Sequence, residues 1–240
     1  MNPHNLTQFL ICLVLITFVH SSAAFAQKRK APFGGRIAIV VDERLAALRA
    51  TPQLTGKLIR RISRGRIVAV RTARLSADGI AFLLVKVTSR THGWIQREAV
   101  VLPSHAADDQ KLLELVKGSS EFDRIARARI FLEYFPRSSL RPEVLMIVGD
   151  AAEELSARLS REASRRLNTP TGAAPKFSYF LNYSGLDRYN RQGVTFVLDK
   201  QARRFHYDGA AWRAVLRRFP NTPQAREAEA RLAQLAAAVR

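Results

Sequence analysis

The sequence predicts an α+β protein in which a small β-barrel precedes a mostly α-helical part with an inserted β-hairpin. Between Arg36 and Val101, short runs of strand-forming residues are separated by turn residues roughly every ten positions, a pattern typical of a small barrel. Beyond Ser104 the apolar residues repeat with a period near 3.6 instead of two, as they do in amphipathic helices. We therefore expect a barrel at residues 36–103 and a helical part at residues 106–240.

The strand with the clearest pattern in the barrel runs from Phe82 to Val87. Thr91-His92-Gly93 then predicts a tight turn, and Trp94-Ile95 resumes an extended strand. Three further strand candidates lie upstream, separated by Pro and Gly residues that favour turns: Arg36–Val41, Leu45–Arg49 and Ile67–Arg74.

Three stretches of this region resemble the bacterial SH3-like (SH3b) domain. They are Leu45–Ala50 with the Pro52 and Gly56 that follow it, Ile62–Val68, and Thr91–Ile95, which ends in the Gly-Trp-Ile of the family's closing strand. The resemblance spans residues 36–101, about a quarter of the chain. Where the function of this family is known it is binding, often to a cell-wall peptide or a protein partner, and not catalysis. The resemblance therefore implies a binding module.

Three residues of this module are candidates for ligand binding. Arg49 lies near Pro52 in the first loop, Arg90 precedes the predicted turn, and Trp94 follows Gly93. The indole of Trp94 could stack on a ligand. The alternative is that its ring packs against the barrel.

Residues 1–26 predict a secretory signal peptide. The segment from Phe9 to Val19 is apolar except for Thr17, and Ala24-Phe25-Ala26 has the small-x-small arrangement that signal peptidase requires. We expect cleavage before Gln27, export to the periplasm or the medium, and no membrane span after cleavage. The alternative is an uncleaved membrane anchor, because the first ten residues contain no Lys or Arg, although the apolar run is short for a span.

The single cysteine, Cys12, lies within this leader, so the chain after cleavage has no thiol. Its stability must therefore come from packed cores and not from disulfides. SH3-like modules often accompany cysteine peptidases that cut the cell wall, and this chain lacks the nucleophile that such an enzyme needs.

The chain is strongly basic, with a formal net charge of +19. Up to His105 there are 16 Lys and Arg residues against 4 Asp and Glu, and from Ala106 onward there are 23 against 16. Such a surface attracts anionic partners, which for an exported protein are wall polymers, anionic lipid head groups or an acidic protein. The export signal and the lack of aromatic residues among the basic ones argue against nucleic acid. The alternative is a basic proteome that favours Arg in general.

The helical part is predicted to begin with two shorter helices and to continue with a long one. Leu112–Val116 predicts a helix that Gly118 ends. Ser120, with an acidic residue three positions later, resembles a capping box, and Phe135-Pro136 stops the helix that follows. The apolar stripe of the long helix extends over residues 144–167, about six turns.

Two segments that lie 84 residues apart share one pattern: Leu132–Ser138 and Leu216–Thr222. Each copy has a Phe-Pro pair between two predicted helices. Phe135 with Pro136, and Phe219 with Pro220, are therefore predicted to be equivalent structural hinges.

These copies resemble the tetratricopeptide-like repeats of envelope proteins such as the TolA-binding coordinator and outer-membrane assembly lipoproteins. Pro142-Glu143 matches the start of the family's second helix, whereas Arg226-Glu227 departs from it. In the second copy Thr222 can cap the helix and Pro223 can occupy its first position. The resemblance implies protein–protein interaction. Because a stable array usually needs three repeats, an irregular helical bundle is the alternative.

A β-hairpin is predicted at residues 193–208, from the runs Gly193–Asp199 and Arg203–Asp208. Four of the five tyrosines lie in or just before this segment. Because Tyr is favoured at interfaces, three of them are candidates for protein interaction: Tyr179, Tyr183 and Tyr189. The alternative is that the rings pack the hairpin against the helices.

The sequence contains no motif that predicts catalysis, a metal site or a cofactor. It lacks a nucleophile elbow and a phosphate-binding loop, and its histidines beyond the leader stand alone. Glu143, Glu153 and Glu154 could be imagined as the carboxylates of a glycoside hydrolase, but their spacing fits the solvated face of a helix.

We therefore expect an exported, non-catalytic binding or scaffold protein of the bacterial envelope. Its SH3-like part would contact the cell wall or a protein partner, and its helices would contact other proteins. The alternative is a cell-wall-cleaving hydrolase with a carboxylate site that the sequence does not reveal.

Overall fold

An antiparallel sheet is followed by helices, so the mixed α and β composition expected from the sequence is confirmed. The computed structural model describes residues 36–167 and 185–238. The sheet contains seven strands: β1 Arg36–Val40, β2 Ala47–Arg49, β3 Leu58–Arg61, β4 Ile67–Leu75, β5 Ala81–Lys86, β6 His92–Gln96 and β7 Val100–Val101. They pair in the order β3-β2-β6-β5-β4-β1-β7, and every neighbouring pair is antiparallel.

The sheet does not close, so the prediction of a closed barrel was wrong. Among residues 36–167 and 185–238, the outer strand β3 pairs with β2 alone, and the outer strand β7 pairs with β1 alone. The register of β4 against β5 shifts between Val70 and Thr72, and β4 from Arg71 to Leu75 is exposed on both faces. The outer half of β4 is therefore exposed, whereas Phe82 and Leu83, opposite it on β5, are buried. Closure depends on strand tilt and register, which the period-two pattern does not specify.

The sheet contributes to two hydrophobic cores, one on each face. One core consists of residues of the sheet and its connecting segments, and it includes Leu48, Val68, Val85 and Ile95. On the other face, Ile39, Val41, Ile67 and Val101 join the core of the helices.

Six helices follow in the described residues: α1 Asp108–Lys117, α2 Glu121–Tyr134, α3 Arg141–Leu167, α4 Gly185–Asn190, α5 Ala210–Arg218 and α6 Pro223–Ala238. The helix ends at Gly118 and at the two Phe-Pro pairs agree with the sequence prediction. In the described part of the chain, no helix is both long enough and apolar enough to cross a bilayer.

The side chains of the two predicted capping residues, Ser120 and Thr222, behave differently. The hydroxyl of Ser120 makes no capping hydrogen bond, and the next residue, Glu121, has φ = 50°, so the chain enters α2 through a sharp turn. Thr222 Oγ1 donates a hydrogen bond to the carbonyl of Phe219, 2.7 Å away. Its hydroxyl thus closes the turn between α5 and α6.

The two Phe-Pro pairs end α2 and α5 in the same way but differ in burial. The backbone N–H of Phe135 bonds to the carbonyl of Phe131 at 2.9 Å, and that of Phe219 to Val215 at 2.8 Å. Phe135 is 7% exposed, whereas Phe219 is only partly buried. Arg141 also stabilises the first copy, since its Nη1 donates to the carbonyls of Leu132 and Phe135 at 2.8 and 3.2 Å. The hinges are therefore similar in backbone and unequal in packing.

The predicted hairpin is present, with strands β8 Phe196–Asp199 and β9 Arg204–Tyr207. Its turn is held by Asp199 Oδ1, which accepts from the backbone N–H groups of Gln201 and Ala202 at 2.8 and 2.9 Å. β9 lies on α3, where the backbone N–H of Phe205 donates to Ser160 Oγ at 2.8 Å. The hairpin is thus part of the helical core.

Two buried ionic contacts join the sheet to the helices. Asp108 is 2% exposed and accepts from Arg97 Nη2 at 2.6 and 2.9 Å and from the backbone N–H of Leu102 at 2.6 Å. Arg127 is 6% exposed, and its Nε donates to the carbonyl of Val41 at 3.1 Å. Its Nη2 lies 3.5 Å from Asp42 Oδ2. Because a buried charge requires a partner, these contacts fix how α1 and α2 meet the sheet.

Candidate functional site: a cationic sheet surface

The sheet carries almost no negative charge. From Arg44 to Arg97 the chain contains twelve Lys and Arg residues and a single acidic residue, Asp78. Eight of the basic side chains are exposed: Arg44, Lys57, Arg60, Arg61, Arg66, Arg71, Arg74 and Arg90. This is the part of the molecule best suited to attract an anionic ligand.

Two carboxylates close to the sheet, those of Asp42 and Asp123, are already paired. The guanidinium of Arg44 hydrogen-bonds the carboxylate of Asp42 and lowers its pKa. Asp123, on α2, forms an ion pair with Arg64 at 2.9 Å. In the described residues, Arg71 and Arg90 form no ion pair. Their charges are therefore available to a ligand.

Trp94 lies on β6, the third strand in the order of the sheet. It is opposite Arg49 of β2 on one side and Leu84 of β5 on the other. The ring is partly buried, and the guanidinium carbon of Arg74 lies 5.7 Å from its centroid. This distance is within the range of a cation–π interaction. The indole is thus a partly accessible aromatic surface with the Arg74 side chain beside it.

The structure brings two of the three predicted ligand-binding residues together. Arg49 and Trp94 are cross-strand neighbours, although Arg49 also supports the β2–β3 loop by donating from Nη1 to the carbonyl of Gly56 at 2.9 Å. Arg90 lies in the β5–β6 turn and is exposed. The cation beside the Trp94 ring is Arg74, which sequence reasoning missed. Its place on this face depends on the register shift in β4, which the sequence pattern does not show.

Position 93, just before Trp94, has no room for a side chain. A Cβ at this position would lie 2.7 Å from the carbonyl oxygen of Arg49 and 3.0 Å from side-chain carbons of Leu48 and Ile59. Glycine therefore allows β2 and β3 to approach β6 closely. This approach sets Arg49 opposite Trp94.

The predicted tyrosine surface is not found at Tyr189. Its side chain is 0% exposed, and its ring packs edge-on against Phe122 and Phe196, with centroid distances of 5.6 Å to each. Its hydroxyl oxygen accepts from Arg188 Nη2 at 2.7 Å. The Tyr189 ring packs the hairpin side of the helical core, which was the alternative. Tyr179 and Tyr183 lie outside the described residues.

A second, acidic cleft lies between α3, α5 and α6. It has a volume of about 400 Å³ and is lined by Asp150, Glu153, Glu154, Trp212 and Arg231, among others. Burial raises the pKa of the Asp150 carboxyl, and Arg231, whose Nε is 3.2 Å away, acts in the opposite direction. Sequence reasoning named Glu153 and Glu154 but missed Asp150, because its burial comes from helix packing.

The third predicted carboxylate does not reach this cleft. Glu143 Oε1 lies 2.8 Å from Lys117 Nζ, in an ion pair between α3 and α1. Of the predicted hydrolase set, only Glu153 and Glu154 therefore share a cleft.

In the described ranges, no group of three or more His, Cys, Asp or Glu residues could hold a metal ion. His92 is exposed on β6, His105 Nδ1 lies 3.1 Å from the Asp108 carboxylate, and His206 is buried on β9. Comparison of the chain with known families, curated proteins and solved structures finds no match.

Proposed function

We propose that this protein is an exported, non-catalytic binding or scaffold protein of the bacterial envelope. Its sheet contacts the anionic polymer of the cell wall, and its helical part contacts other proteins. The observation that carries this proposal is the charge of the sheet, with twelve basic residues and one acidic residue from Arg44 to Arg97. In an exported protein, the cell wall is an abundant source of negative charge.

The surface around Trp94 is the binding site that we propose. Arg74 lies beside the indole and Arg49 is opposite Trp94 on β2, while the exposed Arg71 lies on β4 and the exposed Arg90 in the β5–β6 turn. Charged groups would bring the polymer to the surface, and the ring would contact its apolar parts. This arrangement supports binding. It offers no pair of nucleophile and base for catalysis.

We propose further that the sheet is a variant of the SH3-like domain and that the helix pairs are tetratricopeptide-like. The first part of this proposal is supported by the Gly93-Trp94-Ile95 strand, in which glycine is required by a neighbouring strand. The second is supported by the two Phe-Pro turns, each of which joins two helices. An irregular bundle remains the alternative for the helices, since two copies are few for a repeat array.

The test is co-sedimentation of the full chain with an insoluble cell-wall preparation at increasing salt. We expect binding that falls steeply as salt rises, because screening shortens the reach of the charges. Arg71→Gln with Arg74→Gln should weaken it at least about tenfold, since the double change removes the cation beside Trp94 and a second exposed charge of β4. Binding that is absent at low salt or independent of salt would contradict the proposal.

The matched control is Arg217→Gln with Arg226→Gln. Both residues are exposed on the helical part, so this variant loses the same net charge at a distance from the sheet. We expect it to bind almost as well as the wild-type chain. If both double variants lose binding equally, then net charge and not the sheet surface determines the association.

A wall-cleaving hydrolase is the second candidate, and one observation favours it. A glycoside hydrolase needs one protonated and one ionised carboxyl group, and burial raises the pKa of Asp150 in a cleft that also contains Glu153. A zymogram on purified cell wall tests this candidate. Clearing that is lost in Asp150→Asn and in Glu153→Gln would establish it and would replace the binding proposal.

A further inference from the structure

The outer strand β3, Leu58–Arg61, has a free edge. It pairs with β2 on one side and, among the described residues, with no strand on the other. All of its residues are exposed, including two large apolar ones, Leu58 at 48% and Ile59 at 47%. Exposed apolar residues on an unpaired strand are a common sign of a site where another chain adds.

The hydrogen bonds of β3 show which of its backbone groups are unused. The N–H of Ala50 donates to the carbonyl of Lys57 at 3.0 Å, and the N–H of Ile62 donates to the carbonyl of Ala46 at 2.9 Å. These bonds point toward β2. Inward and outward groups alternate along an antiparallel strand, and the register of β3 against β2 shifts by one residue between Leu48 and Arg49. The backbone groups of Leu58, next to Lys57, and of Arg61, next to Ile62, therefore both point away from β2. They are positioned to bond to a further strand.

The charge beside this edge selects the kind of strand that can add. Lys57, Arg60 and Arg61 lie along it, and the sequence from Arg44 to Ala77 contains no Asp or Glu. A second copy of β3 would bring like charges together and would be repelled. An acidic strand would be attracted, and its apolar residues could cover Leu58 and Ile59.

We propose that β3 binds an extended, acidic segment of a partner protein, which adds to the sheet as an eighth strand. Main-chain hydrogen bonds to Leu58 and Arg61 would supply the affinity, and the Arg side chains would supply the preference for acidic residues. This inference rests on the proposed function in one respect, namely that the sheet is the binding part of the molecule. It uses the edge of the sheet, whereas the cell-wall site uses the face around Trp94.

The test uses the full chain and three synthetic eight-residue peptides. The first alternates Val and Glu, the second alternates Val and Lys, and the third is the Val-Glu peptide with a central proline. We expect the Val-Glu peptide to slow amide hydrogen exchange at Leu58 and Arg61 and to bind at least about tenfold more tightly than the other two. Proline should abolish binding because it removes a main-chain donor.

Leu58→Pro tests the main-chain contact directly. The N–H that it removes points away from β2, so the pairing inside the sheet is retained, and binding of the Val-Glu peptide should be lost. The matched control is Leu54→Pro, an exposed position in the preceding loop, which should bind the peptide normally. If Leu58→Pro does not fold, the variant Arg60→Gln with Arg61→Gln should still weaken binding of the acidic peptide.

Several results would overturn the proposal. One is that none of the peptides binds. A second is equal binding of the Val-Lys peptide. A third is protection that appears around Trp94 instead of β3, and a fourth is dimerisation through β3 without any peptide. The cell-wall assay separates the two sites: Leu58→Pro should leave wall binding unchanged, and Arg71→Gln with Arg74→Gln should leave the protection of β3 by the peptide unchanged.

Discussion

Replacing Phe135 by Ala tests whether the Phe-Pro turns hold the helical part together. Phe135 is 7% exposed and packs against Phe131, with ring centroids 5.4 Å apart. A buried aromatic ring removes about 150–250 Å² from water, worth about 4–6 kcal/mol at ~25 cal/mol per Å². Measured costs of Phe→Ala changes in cores are about 3–5 kcal/mol. We therefore expect the free energy of unfolding to fall by about 4 kcal/mol.

The assay is thermal unfolding followed by circular dichroism. For a chain of this size, 1 kcal/mol corresponds to about 2–4 °C, so Phe135→Ala should lower the Tm by roughly 10 °C. Phe219→Ala should cost about half as much, because its ring is only partly buried. Phe135→Leu is the control, since it keeps most of the apolar volume and should cost about 1 kcal/mol. A Tm of Phe135→Ala within about 2 °C of the wild type would refute the reasoning.

Three further predictions concern the sheet and its junction with the helices. Gly93→Ala should lower the free energy of unfolding, measured in a denaturant titration, by about 1–3 kcal/mol. The reason is that the added Cβ would lie 2.7 Å from the carbonyl oxygen of Arg49. An unchanged free energy of unfolding would mean that β2 can move away at little cost. Arg127→Met should lower the free energy of unfolding by about 3 kcal/mol in the same titration, because the Asp42 carboxylate loses its buried partner. An unchanged value would show that Arg44 alone is enough to stabilise the Asp42 carboxylate. Arg44 lowers the pKa of Asp42 in the folded state, so ionised Asp42 stabilises the fold at pH values above its unfolded pKa of about 3.9. This stabilisation is lost as the pH falls through the lower, folded-state pKa. Asp42→Asn should therefore make the Tm fall less steeply below about pH 4.

The local elements of this fold could be predicted from the sequence. Gly118, Phe135 and Phe219 end helices where their chemistry indicates, and the hairpin lies between Gly193 and Asp208. Each of these features depends on a few neighbouring residues. The interactions that decide them are therefore visible in a short stretch of sequence.

The long-range features could not be predicted. The period-two pattern identified the strands. It did not show the shift in register between Val70 and Thr72, beyond which the residues of β4 are exposed. That same shift places Arg74 on the face of the sheet that carries Trp94, which is why the sequence pattern missed this residue. The burial of Tyr189 likewise depends on Phe122, which is 67 residues earlier in the chain.

The most direct test of the binding surface uses the fluorescence of Trp94. The chain has two tryptophans, so Trp212→Phe leaves Trp94 as the single reporter in the folded full chain. We expect a soluble cell-wall polymer fraction to change its emission saturably, and the change to disappear at high salt and in the Arg71→Gln with Arg74→Gln background. The reciprocal variant, Trp94→Phe, should show no change. A polymer that binds without altering Trp94, or that alters Trp212 instead, would contradict the account.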